Sequence, residues 1–418
     1  MRVLIVDASS KLGAVGGAQR VAGSLFYELR KRGISTYYLG YKTEYIGNDR
    51  NAFFISSGMA QRSVKRSIEG SAFSRLVESV PSRMAYYSLY SLTGIPMNNV
   101  ESWLAMVKPD IVLSSSIQDY VMLKQLRKHL GGAKLVYIEH ANASGAYGSA
   151  FDYNILGLTF GTGPFVGLEA ARRRFFGFFD GVVALNKEQY RNIKRFNRNV
   201  TIIHSAMLMG QGHVDGMALK RVKRRLGVRD GDNVVLYLGR LAEAQKNVSS
   251  LILSFKAIKK QGMRLLIVGD GKSRQLYGDM SSDDKRITVT GRVPENMLGC
   301  YYSMAGLYVL PSVWESFNAT FIEAAHFGAA LLLSKKSINE DIAERFGSRL
   351  YTFDPSDMAE LRRKIERYFS DKRLRTRLRL LSKEIAEEYG KKKQMDSYAL
   401  ALREFNMGGR FPDGASPA

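Results

Sequence analysis

Apolar residues along this chain recur in two alternating rhythms. Short unbroken runs appear at "RVLIVDAS" (2–9), "STYYLGY" (35–41), "PDIVLSSS" (109–116), "AKLVYIEH" (133–140), "FDGVVALN" (179–186) and "VTIIHSA" (200–206). Runs of this length, apolar at consecutive positions, read as strands buried on both faces. Between them, "AQRVAGSLFYELRKRG" (18–33) and "YVMLKQLRKHLG" (120–131) repeat their apolar residues at helical spacing, and the first stops at Gly33. A polar, basic, glycine-containing stretch follows at 210–233 and reads as a linker with a short helix. The alternation then restarts with "VVLYLGR" (234–240), "LILSFKAIKKQG" (251–262), "RLLIVGDG" (264–271), "RITVTGRV" (286–293), "GLYVLPS" (306–312), a helix from about Thr320, and "AALLLS" (329–334). Strand–helix alternation of this kind predicts a parallel sheet covered on both faces. Two successive stretches of it predict an α/β chain of two doubly wound, Rossmann-like domains. The expected division is 1–209, a linker 210–233, 234–390, and a C-terminal helix and tail 391–418 that packs back on the first domain.

Length agrees with that division, since 418 residues exceed what one core usually organises. Cys300 is the only cysteine, which excludes an internal disulfide framework and a cysteine-based zinc site. The opening run ends at Asp7 without the long apolar core of a secretory signal, and no stretch of about 18 apolar residues occurs. A cytoplasmic location is the expectation, with or without peripheral attachment to the inner face of a membrane.

Charge is the abnormal bulk property. Sixty-two Lys and Arg face 39 Asp and Glu, a formal net of +23. Such a surface attracts polyanions: nucleic acid, an acidic membrane, or anionic substrates. Basic clusters recur at 62–66, 172–174, 220–225, 362–364, 372–379 and 391–393. Solvated helix faces account for about half of them. A polyanion- or nucleic-acid-binding protein is therefore the competing class, although no zinc-finger, RNA-recognition or basic-zipper signature supports it.

Four stretches carry candidate chemistry. "GAVGGAQR" (13–20) follows a strand and opens a helix, where glycines let backbone N–H groups approach an anion; a tight turn without a ligand is the equal alternative. In "LGRLAEAQKN" (238–247), Arg240 leaves a strand end and Lys246 lies six residues on. Both fall beyond the carboxyl end of a strand, where open α/β sheets bind ligands, and a guanidinium with an ammonium suits a diphosphate. Two solvated cations in a loop are the bland alternative. "VGDGKSRQLY" (268–277) is a strand–turn–helix whose Asp270 reads as a turn residue. "PSVWESFNATFIEAAHFG" (311–328) holds Glu315 and Glu323. Thr320 and Glu323 have the spacing of a capping box, so Glu323 either caps its own helix or faces a ligand. Glu315 has no such structural role to fill, and a carboxylate there accepts hydrogen bonds from hydroxyls.

The run "GLYVLPSVWESFNATFIEAAHFG" resembles the E-x7-E signature of retaining nucleotide-sugar glycosyltransferases, the large family-four group with the GT-B architecture of two Rossmann-like domains facing a cleft. "LGRL…KN", "LLIVGDG", "VTGRVP" (289–294) and "GGAQR" fall in the order that family shows, and the resemblance is strongest over about 234–345. It implies that Arg240 and Lys246 hold the donor diphosphate and stabilise the departing nucleotide. Glu315 would bind hydroxyls of the transferred sugar and Glu323 the ribose. Backbone amides around Ser316, Phe317 and Asn318 would approach the phosphates and sugar, Gly16 and Gly17 would border the donor phosphates and the acceptor, and Arg292 would lie where the base is read. His140 matches a family histidine near the sugar, against the alternative of a satisfied structural residue. Three departures stand out: Ser316 and Asn318 replace glycines, Ala330 replaces a proline, and "HSA" (204–206) replaces an Asn-Gly pair.

The implied reaction is retaining transfer of a hexose-type sugar from a UDP- or GDP-linked donor to a hydroxyl of a glycan or lipid-linked acceptor. No cofactor and no metal are implied, and no nucleic-acid partner is expected. "SDD" (282–284) reads as surface. The stretch 154–179, apolar then basic and aromatic, reads either as a face toward an anionic membrane, with Arg172 to Arg174 near lipid phosphates, or as a loop and an ordinary core helix.

Overall fold

The computed structural model describes residues 1–7, 17–42, 46–55, 99–140, 168–206, 214–315 and 317–411. It divides into two units: Met1–His204 together with Met395–Ala418, and Ser205–Gln394.

The first unit is built on β1 (Arg2–Asp7), α1 (Gly17–Arg30), β2 (Ser35–Gly40), β3 (Ala52–Phe54), α2 (Val100–Val107), β4 (Ile111–Ser114), α3 (Ile117–Leu126), β5 (Lys134–Ile138), α4 (Leu168–Gly177), β6 (Gly181–Ala184), α5 (Lys187–Lys194) and β7 (Val200–Ile202). Among the described residues its sheet has seven strands, all parallel, in the order β3-β2-β1-β4-β5-β6-β7. The apolar runs explain this. Val3 to Val6, Ile111 to Leu113 and Leu135 to Ile138 are each at most 2% exposed, as strands covered on both faces must be. On α1, Val21, Ala22, Leu25, Phe26 and Leu29 form the buried stripe. The aromatic half of 172–179 turns inward: Phe175, Phe176 and Phe179 join the core with Tyr120 and Tyr137. The core-helix alternative thus describes the aromatics of that stretch, and residues 154–167 lie outside the described residues.

The second unit runs α6 (Gly216–Leu226), β8 (Asn233–Leu238), α7 (Glu243–Lys246), α8 (Val248–Lys256), β9 (Met263–Val268), α9 (Arg274–Ser281), β10 (Ile287–Gly291), α10 (Glu295–Met304), β11 (Leu307–Leu310), α11 (Ala319–His326), β12 (Ala330–Ser334), α12 (Glu340–Phe346), β13 (Thr352–Phe353), α13 (Met358–Ser370) and α14 (Lys372–Glu388). Its strand order is β10-β9-β8-β11-β12-β13, again all parallel. The stretch 216–226, read from sequence within a linker, is a helix of this unit. Asp215 caps it, Ala218 and Val222 bury its inner face, and Arg225 donates to the Tyr301 hydroxyl at 2.7 Å. Two short strands, β3 and β13, had no apolar run long enough to announce them.

The last helix, α15 (Lys391–Gly408), crosses the division, and from Met395 it belongs to the first unit. Arg32 pairs with Asp396 at 2.7 Å, and Lys134 donates to the carbonyls of Phe405 and Asn406 at 2.8 and 3.0 Å. An ammonium at a helix C-terminus satisfies carbonyls the helix leaves open and complements its dipole.

Candidate active site

In the second unit, chain order and strand order part company between β8 and β11. From β8 the chain builds outward through β9 and β10, then returns to lay β11 on the other side. That junction is the topological switch point where doubly wound sheets open a crevice beyond their strand ends. Arg240 follows β8 by two residues and Glu315 follows β11 by five. The backbone under Arg240 is pinned by two phenols: Tyr237 donates to the Arg240 carbonyl at 2.9 Å and Tyr308 to the Leu238 carbonyl at 3.3 Å. Burial pushes both phenols up, so they remain protonated donors.

The short turn α7 then brings the chemistry together. Lys246 Nζ meets Glu315 Oε1 at 2.5 Å, with side chains only 10% and 6% exposed. Ser312 adds a second donor to the same carboxylate oxygen at 2.6 Å. Arg240 donates to Gln245 Oε1 at 2.6 Å, Gln245 Nε2 reaches the Trp314 carbonyl at 3.4 Å, and the Val313 amide donates to the Gln245 carbonyl at 2.9 Å. The α7 turn is itself anchored through Glu243, which accepts from Tyr277 at 2.7 Å. Asn247 closes it in a left-handed conformation, φ 49°, that asparagine tolerates well, and its side chain donates to the Pro355 carbonyl at 3.0 Å. The result is two cations and one carboxylate fixed at one strand crossing, suited to an anionic group beside hydroxyls.

Other residues singled out by sequence fall less simply. Glu323 does not cap its helix. Asn318 is the N-cap of α11, accepting from the Thr320 amide at 2.9 Å and the Thr320 hydroxyl at 2.6 Å. The Thr320–Glu323 capping box is overturned because the helix begins one residue before Thr320, which turns the threonine hydroxyl toward Asn318 and Tyr308. Glu323 is instead fully buried and accepts from the Tyr302 hydroxyl at 2.8 Å. Phe317 is 8% exposed and packs on Phe321 and Tyr389, so only its backbone can face a ligand. Arg292 is exposed in the loop after β10. Asp270 is the turn residue expected, accepting from the Gly271 amide at 2.8 Å. Asp283 and Asp284 pair with Lys256 and Arg286. Gly16 and Ser316 lie outside the described residues, and Gly17 is the first residue of α1 in the first unit. Gln245 was missed: its neutral side chain between two motif cations carried no signal until α7 folded it against both loops. Among the described residues, no group of three or more His, Cys, Asp or Glu is placed to hold a metal ion.

His140 ends the run after β5 in the first unit. Its Nε2 is covered and meets no hydrogen-bonding partner, and burial pushes the imidazole down to about 4. The ring is therefore neutral at pH 7. Unfolding returns it to about 6.5, so the unfolded chain binds the extra proton. This contribution to stability is complete above about pH 6.5 and is lost as pH falls toward 4. Histidine ring NMR resonances should show one imidazole that stays neutral down to about pH 5; normal titration of all five rings would contradict the burial.

The fold and this crossing define a class: two Rossmann-like units of the GT-B kind. Solved structures agree. The chain superposes on sucrose-phosphate synthase from Thermosynechococcus elongatus with a TM-score of 0.66 at 14% identity, covering 97% of this chain and 99% of that one. It superposes on Anabaena HepE, solved with UDP and glucose, with a TM-score of 0.62 at 15% identity, covering 97% and 100%. Residues 220–384 match the family described as "Glycosyl transferases group 1". Curated relatives include 2-deoxystreptamine N-acetyl-D-glucosaminyltransferase of Niallia circulans, 28% identical over 134 residues, 31% of this chain and 34% of that protein. Another is the alpha-monoglucosyldiacylglycerol synthase of Streptococcus pneumoniae, 22% identical over 142 residues, 32% of this chain and 31% of that one. The chain spans about a third of the length of the curated relatives it matches.

Proposed function

We propose that the protein is a retaining glycosyltransferase that moves a hexose-type sugar from a nucleotide-diphosphate sugar to a hydroxyl of a glycan or lipid-linked acceptor. The observation that carries this reading is the convergence of Arg240, Lys246 and Glu315 at the β8–β11 crossing. Arg240 and Lys246 hold the diphosphate and offset the charge that develops on it as the sugar leaves, which makes a divalent metal unnecessary. Glu315, already gripped by Lys246 and Ser312, accepts hydrogen bonds from sugar hydroxyls. The N-terminus of α11, capped by Asn318, lends its positive end to the same crevice. The donor phosphate takes the proton of the acceptor hydroxyl as that oxygen attacks on the face the leaving group vacates, so anomeric configuration is kept. The relatives' names, an aminosugar transferase and a glucosyl-lipid synthase, support a sugar transfer. The UDP and glucose in HepE support a nucleotide-sugar donor.

A thermal-shift panel of UDP, GDP, ADP and CMP, each with and without EDTA, tests the donor site. One nucleotide is expected to stabilise the chain by about 2.7 kcal/mol at a hundredfold excess over its Kd. The stabilisation should be indifferent to EDTA and absent in Arg240→Ala. Silence across the panel overturns the reading. An inverted anomeric centre in the product, read by NMR, sinks the retaining mechanism alone.

A further inference from the structure

Among the described residues, Gln245 alone hydrogen-bonds both to Arg240 and to the loop carrying Glu315. Its side chain takes the Arg240 guanidinium at 2.6 Å and gives to the Trp314 carbonyl at 3.4 Å, while its own carbonyl receives the Val313 amide at 2.9 Å. The residue is 6% exposed. The two cations of the crossing are thus held by different chemistry. Lys246 is held by a carboxylate, which offsets its charge. Arg240 is held by a neutral amide oxygen and makes no ion pair with a carboxylate among the described residues.

We infer that Gln245 is a positioning residue for the proposed donor site: a neutral latch that aims Arg240 at the leaving diphosphate while keeping its full positive charge available. The inference rests on the glycosyltransferase reading and deepens it. The amide matters for its chemistry as well as its reach. A carboxylate at the same position would hold the guanidinium at least as firmly, as a charge-assisted bond, but would cancel the charge the diphosphate needs. An alanine would leave the charge intact and lose the aim. A purely structural brace predicts the opposite order, because glutamate preserves the bond to Arg240 and alanine does not.

The experiment compares wild type, Gln245→Glu, Gln245→Ala, Arg240→Ala and the double variant Arg240→Ala/Gln245→Glu. Inorganic pyrophosphate is the probe, since it bypasses the base, and its Kd is read by calorimetry beside the melting temperature. Gln245→Glu should weaken pyrophosphate about tenfold or more, the weight of one charge-assisted hydrogen bond. Gln245→Ala should weaken it less, although Gln245→Glu melts no lower than Gln245→Ala. In the Arg240→Ala background the glutamate should add much less, because the residue acts through that guanidinium. Equal or tighter binding by Gln245→Glu than by Gln245→Ala overturns the latch, as does a full glutamate effect without Arg240. A wild-type chain that does not bind pyrophosphate brings down the donor site itself, and the latch with it, which sets that failure apart from the other two.

Discussion

Lys246→Met will cost the chain both stability and donor binding, and the two losses will separate on adding Glu315→Gln. The lysine and Glu315 are 10% and 6% exposed, and the ammonium is the only cation within salt-bridge distance of that carboxylate among the described residues. Removing one partner of a buried pair strands the other, at a typical cost of about 3–5 kcal/mol. Ser312 still donates to Glu315, which places the expected loss toward the lower end of that range. Neutralising the carboxylate as well removes the stranded charge, so the double variant should recover most of the lost denaturation midpoint. Donor binding should not recover. With the cation gone, transfer should fall by about a hundred- to a thousandfold, the usual effect of deleting one electrostatic stabiliser of a leaving group. Denaturant titration with a nucleotide-binding assay on wild type, both single variants and the double variant checks this. If the double variant binds donor as wild type does, the Lys246–Glu315 pair is a structural bridge and the site must be sought elsewhere.

That separation matters because a bridge and a binding site look alike in sequence. Lys246 and Glu315 are 69 residues apart in the chain; the parallel pairing of Leu307 with Val235 and Tyr308 with Leu236 makes their loops neighbours. The strands themselves were plain from their unbroken apolar runs, because a parallel sheet buries both faces and leaves no polar alternation to confuse the pattern. β13 was not plain: two residues, Thr352 and Phe353, carry no periodicity. The Asn318 cap was hidden by a competing signal. Thr320 and Glu323 satisfy the capping-box spacing, but Asn318 is as good a cap and lies two residues earlier, so the helix starts there. Gln245 was hidden for a different reason. Its two partners are five and 69 residues away, and only the fold of α7 defines that geometry. What sequence yielded was the chemistry of charged side chains at strand ends; what it withheld was which neutral groups hold them.

Gly269→Ala should be the most destabilising small substitution in the second unit. Gly269 follows β9 with φ +144°, and a Cβ built there would lie 1.8 Å from the Gly239 carbonyl oxygen. The obstacle is backbone, so no rotamer change relieves it. The approach has a purpose: the Gly239 amide donates to the Val268 carbonyl at 3.0 Å and the Leu241 amide to the Asp270 carbonyl at 2.9 Å, so the loop after β9 forms the bed on which the Arg240 loop lies. An alanine must push these loops apart and hold a backbone conformation that L residues avoid. Strain and overpacking together should cost about 2–5 kcal/mol. The same movement displaces Arg240, so nucleotide-induced stabilisation should shrink even where the variant remains folded. Gly278→Ala supplies the control. That glycine lies within α9, nothing stands within 4 Å of its would-be Cβ, and alanine there should be neutral or stabilise by up to about 1 kcal/mol. Chemical denaturation of both variants reads the contrast. A Gly269→Ala chain as stable as Gly278→Ala would mean the two loops do not lie against each other, and the support assigned to Arg240 would go with them.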